Sequence, residues 1–132
     1  MTAIYETPMQ VRDYECDIQG IVNNSVYQNY LEHGRHEFLH HVGLTFSALH
    51  DQGLDPVVTE ITLQYKQSLL PRDRFTVRTA MRKEGRVRFV FDQEIIREDG
   101  ALILKGAVTG VVTRNGRPGA PDVFDAVFTA AP

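Results

Sequence analysis

The segment from Asp17 to Asn24 contains the residues whose types and spacing are best suited to chemistry. A carboxylate, Asp17, stands three residues before Gly20, and two asparagines that can cap a helix follow at positions 23 and 24. The first turn of a helix has unpaired backbone N–H groups and the positive end of the helix dipole, which together can stabilise an oxyanion. A carboxylate beside that turn could attack a polarised carbonyl group or activate a water molecule. Thioesters suit such a site because a thiol, with a pKa of about 8.5, leaves with little help from a general acid.

The same segment also admits a purely structural interpretation, in which Asp17 caps the helix or interacts with its dipole. No serine or cysteine competes with Asp17 as a nucleophile. Cys16, the single cysteine in the chain, neighbours a carboxylate, which raises the pKa of a thiol and makes it less reactive. His33, His36 and His40 fall on the polar face of the predicted helix without buried partners to orient them. We therefore expect no metal site and no cofactor.

One long amphipathic helix is predicted directly after this segment by the strongest periodic pattern in the chain. Its apolar stripe recurs at spacings of three, four or seven residues and comprises Tyr27, Tyr30, Leu31, Gly34, Phe38, Leu39 and Val42. Asn23, Asn24 and Ser25 are candidates for the N-cap, and Gly43 is placed to end the helix. Gly34 costs about 1 kcal/mol relative to alanine inside a helix, so we expect another backbone to approach closely there. A further short helical turn is expected within residues 45–53.

From residue 56 onward the hydrophobic period changes to two, which predicts β-strands. The predicted strands cover residues 57–66, 75–82, 86–92 and 102–112, after a first extended segment at 9–14. Glu84-Gly85 and Asp99-Gly100 are hairpin signals between them, and residues 114–121 are predicted to form a loop. Within the second strand, one face is predicted to carry Val57, Thr59, Ile61, Leu63 and Tyr65.

A long helix with a buried stripe needs a sheet to cover it, and the predicted strands are joined mostly by short turns. The predicted fold is therefore α+β, with one long helix wrapped by a curved antiparallel five-stranded sheet. A single sheet of this kind exposes its edge strands, and pairing with a second copy of the chain would cover them.

Composition narrows the possible functions. The chain has 132 residues, 42% of them hydrophobic and 23% charged, so we expect one hydrophobic core and a single domain over residues 1–132. The net charge of −3 provides no overall positive field to attract nucleic acid. We recognise no signal peptide and no apolar stretch of about 20 residues, the length that spans a bilayer. The expected location is the cytoplasm, where a lone cysteine stays reduced.

The sequence also resembles a known family over nearly its whole length, from about Met9 to Thr113. The pattern that carries the resemblance is Asp17-x-x-Gly20-Ile21-Val22-x-x-x-x-Tyr27, followed by Tyr30-Leu31-Glu32-x-x-Arg35-x-x-Phe38-Leu39. It resembles the hotdog-fold acyl-CoA thioesterases of the 4-hydroxybenzoyl-CoA thioesterase type. That group includes the small bacterial acyl-CoA thioesterases associated with the Tol–Pal cluster. The combined pattern is specific, whereas any single piece of it is not.

This resemblance implies hydrolysis of an acyl-CoA thioester to a free acid and CoA, with Asp17 as nucleophile or general base. The other implied contacts are the oxyanion-binding backbone N–H of Val22, Asn23 or Asn24 and the acyl-pocket side chains of Tyr27 and Thr59. The Val22-Asn23-Asn24 triplet is closer to that of the acyl-carrier-protein (ACP) thioesterases, which usually have a histidine where Gly20 stands here. Two alternatives therefore stay open: an acyl-ACP thioesterase on the same scaffold, and a hotdog domain that binds acyl-CoA without hydrolysing it.

CoA carries phosphates, and a basic cluster is present that could bind them. It comprises Arg82, Lys83, Arg86 and Arg88, around the predicted Glu84-Gly85 hairpin. In the resembling enzymes the nucleotide end of CoA lies against such residues, often from a neighbouring subunit, which implies a homodimer or a tetramer of dimers. Alternatively, these cations only protect an edge strand from aggregation. Glu32 and Arg35 also match the family, and we interpret them as a surface ion pair at positions i and i+3.

Overall fold

Residues 4–129, which the computed structural model describes, form three α-helices and six β-strands. The helices are α1 (Asn24–His41), α2 (Phe46–Asp51) and α3 (Asp125–Phe128). The strands are β1 (Tyr5–Gln10), β2 (Leu54–Tyr65), β3 (Arg74–Glu84), β4 (Arg88–Arg97), β5 (Leu102–Arg114) and β6 (Arg117–Gly119). Short 3-10 turns lie at Asp13–Glu15 and Asp122–Phe124. Of the helices in this part of the chain, none is long and apolar enough to cross a membrane.

The sheet is antiparallel throughout, with strand order β1-β3-β4-β5-β2 and the short β6 paired to β5. Together with α1, it confirms the predicted α+β architecture of a five-stranded curved sheet around one long helix. The hairpins predicted at Gly85 and Gly100 are also confirmed, and both glycines have positive φ. β6 was not predicted: it lies in the segment assigned to a loop, where Asn115-Gly116 forms a tight turn.

Helix α1 begins and ends as the sequence predicts. The Asn23 side chain caps it by accepting a hydrogen bond from Ser25 N, and Gly43 ends it with φ +76°. Its buried face contains the predicted stripe except for Val42, which lies at the C-cap and is exposed. The buried face also includes Arg35, which the sequence placed on the polar side.

Gly34 marks a close approach, but not of another backbone as predicted. A Cβ atom at this position would lie 2.6 Å from Val77 Cγ1 and 3.3 Å from Thr79 Oγ1, both on β3. The helix therefore packs directly on β3 side chains, and the missing Cβ sets how close α1 lies to the sheet.

The first strand lies earlier than predicted. β1 covers Tyr5–Gln10 and pairs with β3, whereas the predicted segment ran over residues 9–14. Residues 13–15 instead form a 3-10 turn, in which the Glu15 carboxylate accepts the backbone N–H of Arg12. That local bond replaces the strand pairing that the weak alternation indicated.

The predicted face of β2 is correct only in part, because the strand contains a bulge between Val58 and Glu60. Ile61 lies opposite Val108, a buried residue of β5, and Leu63 and Tyr65 continue on that face. Before the bulge, Val57 lies opposite Val111, which is three residues from Val108 and therefore on the other face of β5. The extra residue thus places Val57 on the opposite face from Ile61.

Two hydrophobic clusters lie between α1 and the sheet, separated by a buried polar layer. One cluster contains Tyr27, Tyr30 and Val77, at the end of the sheet where α1 begins, and the other surrounds Phe124. The layer between them consists of Thr79, Gln93 and Gly106, which pair across β3, β4 and β5, together with Gly34 and Arg35 of α1. We call this set the polar layer.

Candidate active site

Asp17 lies on a tight loop that connects the end of the 3-10 turn with the start of α1. Cys16 and Val22 pair as an isolated antiparallel bridge at the base of this loop. Within it, Asp17 N donates to Ile21 O at 2.9 Å and Gly20 N donates to Asp17 O at 3.0 Å. Gly20 adopts φ +75°, a conformation that favours glycine. We call residues 16–22 the Asp17 loop.

The Asp17 carboxylate is exposed, with one oxygen engaged and the other available. Oδ1 accepts a hydrogen bond from Gln19 N at 2.8 Å, which fixes the side chain within the loop. Oδ2 has no hydrogen-bond or ion-pair partner among residues 4–129. The group is therefore oriented by the loop and can still accept a proton or attack an electrophile.

The three predicted oxyanion donors differ in availability. Val22 N donates to Leu69 O at 3.0 Å, and Asn23 N donates to Glu15 O at 3.1 Å, so both are engaged within the chain. Asn24 N, the first residue of α1, has no acceptor in the described part of the chain. The site thus presents one free backbone N–H at the positive end of a helix, two residues after the Asp17 loop.

Two tyrosines lie at the same end of α1. Tyr27 is buried, and its hydroxyl oxygen accepts a hydrogen bond from Leu69 N at 2.9 Å. Tyr65, from the end of β2, packs edge-on against Tyr27 with ring centroids 5.6 Å apart, and its hydroxyl lies 3.4 Å from Asn24 O. Tyr65 was not among the predicted site residues, although it is the last apolar residue of the β2 face that the alternation identified.

Thr59 does not reach this end of the molecule within one chain. It sits in the β2 bulge, is exposed, and donates a hydrogen bond to Thr109 O at 3.3 Å. Tyr65 lies six residue steps further along the strand, a distance of about 20 Å. The predicted acyl-pocket pair of Tyr27 and Thr59 therefore does not meet in a single chain.

The basic cluster lies at the β3–β4 hairpin, as predicted. Arg82 is engaged by carboxylates, with Nε 2.8 Å from Asp92 Oδ2 and Nη1 3.3 Å from Glu84 Oε2. The other three cations are exposed and form no ion pair with any described residue; they are Lys83, Arg86 and Arg88.

The hairpin and the Asp17 loop lie at opposite ends of the sheet. β3 begins beside Val11, since Val11 N donates to Asp73 O, and Val11 lies two residues before the 3-10 turn that leads to the Asp17 loop. The ten residue steps from Arg74 to Glu84 then carry β3 about 33 Å away from that end. One chain therefore does not bring the free cations of the hairpin to Asp17.

The interpretation of Glu32 and Arg35 as a surface ion pair is wrong. Arg35 is only 8% exposed, and its Nη1 donates to Gln93 Oε1 at 3.1 Å within the polar layer. Gln93 in turn donates to Leu31 O and Thr79 Oγ1. Burial lowers the pKa of the Arg35 guanidinium. Glu32 instead lies 3.6 Å from His36, one helical turn along the exposed face.

Glu15, two residues before Asp17, is a buried carboxylate that the sequence did not single out. It is 9% exposed and accepts hydrogen bonds from Arg12 N at 2.7 Å and from Tyr30 OH at 2.8 Å. Arg12 Nη1 adds a contact at 3.2 Å. Burial, reinforced by the bond to Glu15, raises the pKa of Tyr30, so its hydroxyl stays protonated and donates. In the sequence, only the position of Glu15 two residues before Asp17 could have indicated a role for it.

Cys16 is half-buried, and its surroundings do not activate it. Burial raises the pKa of the thiol, and the carboxylates of Asp13, Glu15 and Asp17 raise it further. The loop therefore presents one chemically competent side chain, the carboxylate of Asp17.

Comparison with known proteins gives a consistent picture. Residues 11–131 match the family model described as the thioesterase-like superfamily. Acyl-acyl carrier protein thioesterase ATL3 of Arabidopsis thaliana chloroplasts is 36% identical over 97 residues, which are 74% of this chain. The chain spans about half (51%) of the length of that curated relative.

Solved structures share the fold. A hypothetical protein of Aquifex aeolicus, AQ1494, is 30% identical with a TM-score of 0.85, covering 93% of this chain and 98% of that one. The BH1999 gentisyl-coenzyme A thioesterase is 27% identical with a TM-score of 0.74, covering 85% of this chain and 89% of that one.

Proposed function

The chain belongs to the thioesterase-like superfamily, and from that membership we propose that it hydrolyses an acyl-CoA thioester to a free acid and CoA. The observation that carries the proposal is the pairing of a fixed carboxylate with a free helix N–H. Asp17 has one unengaged oxygen on a loop closed by hydrogen bonds, and Asn24 N has no acceptor within residues 4–129. The motif from Asp17 to Leu39 further favours the 4-hydroxybenzoyl-CoA thioesterase type.

In the general-base route, Asp17 accepts a proton from a water molecule while the oxygen of that water bonds to the thioester carbonyl carbon. The carbonyl oxygen becomes an oxyanion that accepts a hydrogen bond from Asn24 N–H at the positive end of α1. Collapse of the intermediate breaks the C–S bond, and the proton held by Asp17 passes to the departing thiolate. In the nucleophilic route, Asp17 itself bonds to the carbonyl carbon, the thiolate departs, and water hydrolyses the resulting anhydride.

The test is Asp17→Asn, which keeps the shape of the side chain and removes its charge. We expect kcat with an acyl-CoA to fall by at least about a hundredfold, the contribution of a typical general base, while KM changes little. Asp13→Asn is a matched control, because Asp13 is an exposed aspartate four residues away whose carboxylate lies 3.4 Å from Arg72. Hydrolysis by the Asp17→Asn protein at the parental rate would show that the mechanism is wrong. A parent protein that binds acyl-CoA but does not hydrolyse it would instead be a binding domain.

A second candidate function is hydrolysis of acyl-ACP. It is favoured by the Val22-Asn23-Asn24 triplet and by the 36% identity to a chloroplastic acyl-ACP thioesterase. The two functions separate when kcat/KM is measured for one acyl group attached in turn to CoA and to holo-ACP. A higher value on holo-ACP would replace CoA as the proposed carrier.

A further inference from the structure

Glu15 connects the segment after β1 with helix α1 around the Asp17 loop. Its carboxylate accepts hydrogen bonds from the backbone and side chain of Arg12, which follows β1, and from the Tyr30 hydroxyl in the second turn of α1. Its backbone carbonyl accepts the N–H of Asn23, the N-cap of α1. Burying a carboxylate is costly unless its oxygens are hydrogen-bonded, and both oxygens of Glu15 are.

The Asp17 loop begins and ends at these contacts. Residue 15 precedes its first residue and residue 23 follows its last, and the bond from Asn23 N to Glu15 O closes the loop at 3.1 Å. Beyond its own loop, Asp17 makes no hydrogen bond within residues 4–129. The orientation of its carboxylate relative to α1 therefore depends on Glu15 at the closure of the loop, together with the bond from Val22 N to Leu69 O at its second end.

We propose that Glu15 and Tyr30 are positioning residues that hold the Asp17 carboxylate in place relative to the free N–H of Asn24. Tyr30 is the contact that fixes the loop to the body of α1, whereas the Arg12 side chain is half-exposed and lies on the same short segment as Glu15. The inference rests on the proposed function, because it assigns these residues a role in the chemistry of Asp17.

The first test is Tyr30→Phe, which removes one hydroxyl and keeps the ring that packs against Phe75 at 4.7 Å. We expect kcat to fall about tenfold with KM unchanged within about twofold, since a small displacement of a catalytic group mainly affects turnover.

Thr79→Val is the matched control. It also removes one buried hydroxyl, the acceptor of the 3.0 Å bond from Gln93 in the polar layer. Both variants should lower the Tm, and only Tyr30→Phe should lower kcat. An unchanged kcat in Tyr30→Phe, or an equal loss in Thr79→Val, would overturn the proposal.

A double-mutant cycle with Asp17→Asn separates this inference from the proposed function. If Tyr30 acts through Asp17, Tyr30→Phe should change the residual turnover of Asp17→Asn by less than about twofold, because the group it positions has gone. A further tenfold loss in that background would mean that Tyr30 acts independently of Asp17. If Asp17→Asn alone retains the parental rate, the proposed function fails; if it is impaired and Tyr30→Phe is not, only the positioning role fails.

Discussion

Individual cations at the β3–β4 hairpin differ in what they can offer a phosphate. Arg82 already has two carboxylate partners, whereas Arg86 and Arg88 have none among the described residues. A guanidinium without a partner can bind a phosphate without breaking an existing ion pair, whereas one paired with an aspartate must first give up that interaction energy. Of the four cations predicted to bind phosphate, we therefore expect those outside the ion pairs to contribute most.

Replacing Arg86 and Arg88 together with alanine should raise KM for a CoA thioester. Each charged hydrogen bond contributes about 1.5–3 kcal/mol at most. For a truncated pantetheine thioester, which lacks the nucleotide, the KM of the variant should be nearly the same as that of the parent. Arg82→Ala is the comparison variant and should change KM less. Equal losses with both substrates would indicate that the hairpin arginines stabilise the fold and do not bind phosphate.

At this scale, local spacing drew attention to Asp17 and the family resemblance gave it a catalytic role, but neither indicated the buried charges. Asp17 stands out because a carboxylate, a glycine and helix caps follow one another within eight residues. Arg35 does not, because its partner Gln93 lies 58 residues away and becomes its neighbour only when β4 packs under α1. Hydrophobic periodicity counts arginine as a polar residue. Its long apolar stem can nevertheless be buried when a hydrogen-bond acceptor lies within reach of the guanidinium.

Helices and strands were predicted correctly where a single hydrophobic period dominates the sequence. α1 was predicted with its cap and its end because the apolar stripe is continuous and Asn23 and Gly43 bracket it. The bulge in β2 was not predictable, because an extra residue leaves the composition of the strand unchanged while reversing which side chains face inward.

The packing of α1 on β3 gives a prediction about Gly34. Alanine is the better helix former by about 1 kcal/mol. Its Cβ would, however, lie 2.6 Å from Val77 Cγ1, and overpacking of this kind costs about 1–3 kcal/mol. We expect Gly34→Ala to lower the free energy of unfolding, as measured by urea denaturation. In a Val77→Ala background the same substitution should cost less, because Cγ1 has been removed. A Gly34→Ala protein at least as stable as its parent would contradict this packing.

For the whole molecule, β2 is the edge strand that we expect to pair with a second copy of the chain. It exposes apolar side chains on both faces, including Val57 and Ile61. Pairing of β2 with β2 of a second copy would bury these residues and leave no unpaired edge on that side. In an antiparallel arrangement, Tyr65 of one chain would lie near the start of β2 in the other. Val57, near that start, is level with Arg88 across the sheet. The hairpin cations would thereby approach the other chain's Asp17 loop.

We therefore expect at least a homodimer in solution, held through β2. Ile61→Glu should dissociate it and reduce hydrolysis, as measured by light scattering and activity at the same protein concentration. Ile4→Glu is the matched control, since Ile4 lies beside β1 at the opposite edge and is 41% exposed against 40% for Ile61. A fully active monomer, or dissociation by Ile4→Glu instead, would rule out this interface.

The polar layer also has a consequence for how the sequence can change over evolutionary time. Residues on its two sides belong to separate clusters, so the effects of substitutions in one should add to those in the other. The hydrophobic cluster around Phe124 can then accumulate substitutions without requiring compensating substitutions around Tyr30. Two lineages descended from this chain could diverge widely in one half of the core and still keep the same surroundings for Asp17.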